Sequence, residues 1–496
     1  MPVDFSLVPS SAAASATYIE QVPERRSKTA AVLPQKILFF AQYNTGKTPV
    51  ANVPVKILSL GDIQTRAGRG SMAAIMYEAI TRTSGAVEIF WGPLVDNAGG
   101  VVATKTLTVA VTTVLAGTVS LYVAGRKITT AVTAGMTNAQ IATAIAAAIT
   151  ANLDCSMTAE ATTNVVTLTA RNKGLAPQGI NIALDLESDD LAAEPSGVSI
   201  AIANVTAGTT DPLLATALGL LGDMFYTVIA SPYNSAVTLA EIDAAWTTRV
   251  GPDVKRPFIA IAGYADTLAN FTSALSARNS PGVTMVPVEG SPSHPWEIAA
   301  VVAGLLARNN DARPGVPVRG YKLTGVRTNP AYANWTGAQK DSIVVAGGSW
   351  TKADATGAIL IGDLVTTYKT NAQGVADAGD YWRFTSTLSN IQAKIYSIDY
   401  LINSSPYINA VILDDASISG KSYVVRPKTL KADLIGLVDS WVENGWTKNR
   451  AAVVAGIVVE IDSVNPTRLN CYVPDVIAAG LRIIAARYGW SLKSAS

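Results

Sequence analysis

Ala41 to Thr48, AQYNTGKT, is the stretch whose residue types come nearest to chemistry, because Gly-Lys-Thr after an apolar run is how a phosphate-cradling loop ends. Ala41 stands where that loop has its first glycine. A working loop must also run into a helix whose N-terminal amides face the phosphates. Here Pro49 and Pro54 bracket a Val-rich run that reads as strand or loop. Gly68, Gly70 and Ala73 give a second near-match, the GxGxxA opening of a dinucleotide fold, with Glu88 at the distance of its ribose acid. That fingerprint needs a strand leading straight into the first glycine, whereas GDIQTRA reads as polar and loop-like. These two near-matches define one functional alternative, a soluble α/β nucleotide-binding enzyme.

Other reactive residue types lack partners. His294 is the only histidine and lies between Pro292 and Pro295, so a histidine-based metal site would need carboxylates or thiols from elsewhere. No GxSxG elbow offers it a nucleophile, and a turn residue before a helix start is the plainer reading. Asp189-Asp190 and Asp414-Asp415 read as solvated turn charges, since acid/base catalysis needs two carboxyls in different environments facing one cleft. Cys155 and Cys471 are far apart and read as buried free thiols. The tryptophans, Trp91, Trp246 and Trp441 among them, are scattered as packing residues are. We expect no catalytic residue, cofactor or metal.

The elements that would position such residues fall into blocks. With 496 residues the chain exceeds what one hydrophobic core supports, so two or more domains are expected. Residues 1–30 show no sustained period of 2 or 3.6 and read as an extended arm. Lys36 to Gln42, Val53 to Leu60 and Ala86 to Pro93 read as strands and Ser71 to Ile80 as a helix, an α/β layer. From 96 to 210 the pattern becomes Thr, Val and Ala alternation, in TKTLTVAV, TVSLYVAG, NVVTLTAR, GINIALDL and VSIAIANV. One helix, Thr137 to Asn152, interrupts it, so a β-rich α+β module inserted in the first domain is the economical reading. The α/β pattern then returns. Helices are expected at Asp211 to Leu221, Ala240 to Val250, Asp266 to Ala277 and Pro295 to Asn309, with strands at Tyr226 to Pro232 and Val283 to Val288. Further helices are expected at Thr385 to Ile402, Leu430 to Trp446 and Asp475 to Arg487, and Tyr488, Trp490 and Leu492 alternate as a C-terminal strand would.

Composition narrows the class. Charged residues make up 15%, against about 25% in ordinary soluble domains, and the hydrophobic fraction is 49%. A formal net charge of +1 leaves little self-repulsion between copies, which suits a subunit buried among neighbours. No basic run exists to displace counterions, so direct nucleic-acid binding is not expected. The longest apolar stretch, near Ile298 to Ala307, falls short of the ~20 residues that span a bilayer, and no signal peptide is visible, so cytoplasmic synthesis without membrane insertion is expected.

Ile361 to Asp377, IGDLVTTYKTNAQGVAD, resembles a contractile phage tail sheath signature: a strand ending in Thr-Thr-Tyr-Lys-Thr-Asn, then a glycine-bearing turn. In the same order as in the Mu-like branch of that family come VANVPVKI (Val50 to Ile57), GRGSMAA (Gly68 to Ala74), ARNSPGVT (Ala277 to Thr284) and DARP (Asp311 to Pro314). RPKTLKADLIGL (Arg426 to Leu437) and VNPTRLNCYVPDVI (Val464 to Ile477) continue it. The resemblance implies an α/β core of tail-sheath type with an inserted β-rich α+β domain and extended N- and C-terminal arms. The divisions would be arm 1–30, core 31–95 and 211–425, outward-facing insert 96–210, C-terminal core 426–486 and arm 487–496. It also implies hexameric rings of this chain stacked helically around a tail tube protein, with baseplate and tail terminator proteins at the ends. Such a virion sheath assembles in the host cytoplasm and contracts to drive the tube through the host envelope. Family arms add strands to neighbouring subunits, which makes Tyr18, Ile19, Val22, Tyr488, Trp490 and Leu492 the candidate inter-subunit contacts.

Overall fold

The computed structural model describes residues 29–329, 332–376 and 382–490. Two compact units emerge, one from Val32–Tyr396 with the described part of Ile477–Ser496, the other from Ser397–Val476 with residues 29–31.

The larger unit opens with β1 (Lys36–Gln42), β2 (Val55–Ile57), α1 (Leu60–Ala67), α2 (Met72–Thr81) and β3 (Glu88–Leu94). GDIQTRA, expected as a loop, lies in α1. Ser59 caps that helix by accepting the Asp62 amide at 3.1 Å, and Asp62 in the first turn pairs with Arg66 at 2.6 Å. Polarity had suggested a loop, but this helix buries only Ile63 and Ala67 and is otherwise solvated. Next come β4 (Val102–Val111), β5 (Gly117–Val123), β6 (Arg126–Val132), α3 (Asn138–Ala151), β7 (Met157–Thr162) and β8 (Val165–Lys173). They are followed by α4 (Leu175–Gln178), β9 (Ile182–Leu184), α5 (Ser188–Ala193) and β10 (Val198–Thr206). Thr137 and Gln140 form a reciprocal capping box at the start of α3, whose Ile141, Ile145 and Ile149 are buried. These strands make two antiparallel sheets, ordered β10-β4-β8-β7 and β6-β5-β9.

The chain then gives α6 (Ala215–Gly219), β11 (Val228–Ser231), α7 (Ala236–Val250), β12 (Ile259–Tyr264), α8 (Leu268–Ser276), β13 (Val283–Pro287) and α9 (Pro295–Ala312). The helix expected from Asp211 to Leu221 is the short α6 alone. A six-stranded sheet results, in the order β13-β12-β11-β1-β3-β2, parallel except for the antiparallel edge strand β2. Parallel strands covered on both faces read as near-continuous apolar runs, as Ile37 to Ala41 do between Lys36 and Gln42. Helix α9 packs on β11, β12 and α2 and buries 14 of its 18 residues. Gly304 lets it approach, since a Cβ there would lie 2.3 Å from Thr83 Oγ1 and 2.8 Å from the Ile80 carbonyl of α2's last turn. The unit closes with α10 (Gly337–Val345), β14 (Trp350–Ala353), β15 (Ile359–Asp363) and α11 (Thr385–Ile402), whose residues after Tyr396 belong to the smaller unit.

The smaller unit contains the parallel pair β16 (Val411–Ile412) and β17 (Val424–Val425), α12 (Pro427–Glu443), α13 (Arg450–Ala455), and the antiparallel hairpin β18 (Val458–Ile461) and β19 (Leu469–Tyr472). Its core gathers Leu430, Leu434, Leu437, Val438 and Trp441, and the Trp441 indole donates to Ser397 Oγ at 3.0 Å. Ala30 enters it by donating its amide to Ser440 Oγ at 3.0 Å.

Asp475 to Arg487 is not a helix, and residues 478–490 carry no regular element. Gly480 weakens a helix by about 1 kcal/mol. A Cβ on it would lie 2.3 Å from Pro317, so the backbone is held there by packing that a helical turn would displace. The C-terminal strand is likewise absent at Tyr488 and Trp490; Leu492 lies outside the described residues.

Candidate assembly surfaces

The phosphate-loop near-match follows β1, and residues 48–54 form no helix, so no row of helical amides faces a phosphate there. The loop lines an open recess of about 500 Å³ with Lys47, Thr48, Pro49, Val53 and Thr65. Gly68 follows helix α1 rather than a strand, and Glu88 is held by Lys56 and Lys36. In open α/β sheets ligands bind outside the carboxyl ends of the strands where strand order reverses, here between β1 and β11. That crevice is filled by the chain itself. Gln42 Nε2, at the end of β1, donates to Asp96 Oδ1 at 2.7 Å and to the Lys173 carbonyl at 2.8 Å, and Asn172 Nδ2 donates to the Tyr43 carbonyl at 2.9 Å.

The remaining chemical candidates are structural. His294 is the N-cap residue of α9, fully buried and stacked on Trp296 with ring centroids 4.0 Å apart. Burial, reinforced by Arg126, holds its pKa well below the ordinary imidazole value. Beside it, Arg82 donates to Glu297 Oε1 at 2.7 Å and Glu78 Oε1 at 2.9 Å, and Arg126 donates to Glu78 Oε2 at 2.9 Å. Burial lifts the Glu297 carboxyl above its usual range despite Arg126 and Arg82; for Glu78 the two arginines outweigh burial and lower it. Two cations and two carboxylates thus balance in one cluster tying α2 and α9 to β6. Asp190, expected as a solvated turn charge, is buried in α5: its carboxylate accepts from the Tyr122 hydroxyl at 2.6 Å, the Glu187 amide at 3.1 Å and Lys127. Burial opposes ionisation, but Lys127 and Tyr122 hold the carboxyl far below its usual range. Spacing could not reveal these partners, which are 63 and 68 residues away. Asp414 and Asp415 do sit in an exposed turn, accepting the Ser417 and Lys428 amides at 2.7 and 2.9 Å. Cys471 is exposed, not buried, on the hairpin strand β19, whereas Cys155 is buried. Among the described residues no cluster of His, Cys, Asp or Glu is placed to hold a metal, and no helix is long and apolar enough to cross a membrane.

Two of the sequence segments that resemble sheath motifs meet in space. After β15 the run Thr366-Thr367 lies along the outer edge of β13. The Thr367 amide donates to the Val283 carbonyl at 2.8 Å and its hydroxyl to the Ser280 carbonyl at 3.1 Å. Asn279 accepts the Lys369 and Thr370 amides at 2.7 and 3.0 Å and returns a bond to the Thr370 carbonyl at 2.9 Å. ARNSPGVT and TTYKTN therefore form one clamp at the start of this sheet edge, which Ser349 and Thr351 continue by donating to the Met285 and Pro287 carbonyls at 3.2 and 2.7 Å.

Of the residues expected to form arms, Tyr18, Ile19, Val22 and Leu492 lie outside the described residues, while Tyr488 and Trp490 are 86% and 72% exposed. Leu481, Ile483 and Ile484 are exposed beside them, missed in the sequence because their spacing fits a helix face. The segment is fastened behind them by Arg482, whose Nε donates to Asp363 Oδ2 at 2.7 Å while its guanidinium lies 3.8 Å over the Phe384 ring. In the smaller unit, the β18–β19 hairpin has both outer edges unpaired among the described residues. Next to it Ile402, Tyr407, Val425, Leu430, Leu469 and Cys471 line an apolar recess of about 310 Å³.

No family model matches the chain. A curated protein does: the Mu-like prophage FluMu tail sheath protein of Haemophilus influenzae is 25% identical over 490 residues, 98% of this chain and 99% of that one. This chain is a homologue of a Mu-like tail sheath protein. Solved sheaths share its fold. The anti-feeding prophage helical sheath in its contracted state is 13% identical with a TM-score of 0.50, covering 97% of this chain and all of the other. The PVC sheath complex of an extracellular contractile injection system, also contracted, is 8% identical with a TM-score of 0.50 over 98% and 99% of the two chains. The stretch that resembles the sheath signature is, in this structure, one half of the clamp at β13.

Proposed function

We propose that this chain is the structural subunit of a contractile tail sheath, assembling as hexameric rings stacked helically around a tail tube and contracting to drive that tube through the host envelope. End-to-end similarity to a Mu-like sheath protein is the observation that carries this reading. Baseplate and terminator proteins hold the two ends, the product is a virion component assembled in the host cytoplasm, and residues 96–210 face outward. Residues 1–30 and 487–496 act as arms, with the exposed tail reaching back to Leu481. A lone hairpin is marginal by itself, and the free edges of β18–β19 suit strands donated by neighbouring copies, with Tyr18, Ile19, Val22 or Tyr488, Trp490 and Leu492 supplying apolar anchors. Each added strand contributes several hydrogen bonds of about 1 kcal/mol net, enough to keep subunits tethered while rings slide. The stroke comes from a metastable extended lattice relaxing to one with better contacts, a few kcal/mol per copy summed over many copies. Negative-stain electron microscopy of the purified protein at high concentration tests this. Hollow tubes or stacked rings of uniform diameter are expected; dispersed particles, even with tube protein added as template, would overturn it.

A further inference from the structure

Strand β10 ends the four-stranded sheet with no partner on its outer side among the described residues. Its nine residues, VSIAIANVT, carry neither charge nor proline, the usual devices that keep an edge from pairing. One bulge, between Asn204 and Thr206, leaves residues 198–204 in regular register with β4. Every side chain from Ala201 to Thr206 is exposed, Ile202 at 39% and Val205 at 61%. At the opposite edge β7 pairs with β8 alone among the described residues, and α3 reaches it through the Thr150 hydroxyl, which donates to the Ala159 carbonyl at 3.3 Å. That carbonyl keeps a second lone pair.

We propose that β10 pairs with β7 of a second copy of this chain in the adjacent ring, an inference that rests on the sheath reading. Strand parity favours this partner. Four alternating strands make β10 and β7 antiparallel to each other, so a copy displaced by translation presents its β7 antiparallel to β10, and the alternation continues unbroken. Two β10 edges could meet only about a two-fold axis, which inverts one subunit and has no place in a polar stack. Strands lie ~4.8 Å apart, so copies joined this way repeat every ~19 Å. Six copies at that spacing would close on a radius of only ~19 Å, narrower than the ~29 Å width of a six-stranded sheet. The pairing therefore runs along the tail, from ring to ring. It forms where rings lie closest, and a contact made in the contracted state alone biases the lattice toward that state.

Crosslinking tests it. In a Cys471→Ser background, Ala203→Cys on β10 and Ala161→Cys on β7 are combined, and sheaths are treated with a short bismaleimide before and after contraction. A ladder above dimer is expected from contracted sheaths of the double variant, and monomer from either single variant. Contracted tubes that yield only monomer, or dimers from Ala203→Cys alone, would overturn the pairing while leaving the sheath reading intact. Microscopy of the unmodified protein reads that other failure separately: without tubes, both fall. Should the double variant fail to assemble, Ala203→Lys supplies the measurement, with slowed contraction expected and unchanged contraction counting against the pairing.

Discussion

Asp190 shows what single residues do in this chain: a carboxylate that sequence places in a polar turn is the buried acceptor for Tyr122, Lys127 and the Glu187 amide. Asp190→Ala orphans these donors, and we expect it to cost about 2–3 kcal/mol, read as a lower denaturation midpoint. The pH dependence follows from the lowered pKa. Because the folded state holds this carboxyl below its unfolded value, the stabilisation is complete above the ordinary carboxylate range, about pH 4, and fades as pH falls toward the folded value. The melting temperature of the unaltered protein should therefore fall more between about pH 5 and about pH 2 than that of Asp190→Asn. Gly304→Ala tests packing instead. Its Cβ cannot fit 2.3 Å from Thr83 Oγ1 unless α2 and α9 separate, a cost of about 1–3 kcal/mol in chemical denaturation.

At the scale of elements, the arms and the hairpin they are proposed to join carry the prediction. Deleting Met1 to Lys28 should leave a folded monomer, judged by a cooperative melting transition, that forms no tubes; normal polymerisation of the truncated protein would remove the arm argument. Arg482 fastens the base of the proposed C-terminal arm through Asp363 and Phe384. Arg482→Ala should lower folding stability by about 2–3 kcal/mol, because it leaves the buried Asp363 carboxylate without its cation, and also reduce the yield of tubes counted in micrographs. An equal yield would mean that the arm needs no fixed point of departure.

For the whole molecule, the crevice at the β1–β11 switch point is closed by Gln42, Asp96 and Asn172, and the GKT loop enters no helix. Nucleotide with magnesium should therefore leave the melting temperature unchanged, whereas a ligand at a hundred times its dissociation constant would add about 2.7 kcal/mol. Contraction triggered by a change of conditions should proceed in nucleotide-free buffer, and a requirement for added nucleotide would contradict a stroke powered by lattice contacts.

The sequence by itself determined whatever depends on local pattern or on motif order. Strand β1 matches the apolar run Lys36 to Gln42, α3 follows the four-residue spacing of Ile141, Ile145 and Ile149, and the order of motifs pointed to the sheath family. Tertiary structure decided where local preference is weak or opposed. Leu481, Ile483 and Ile484 carry a helical spacing that Gly480 against Pro317 and Arg482 on Asp363 override, and GDIQTRA becomes α1 because Ser59 caps it. The partners of Asp190, Glu297 and Asn279 lie tens to hundreds of residues away, so the energies that fix their roles appear only once the chain has brought them within hydrogen-bonding distance.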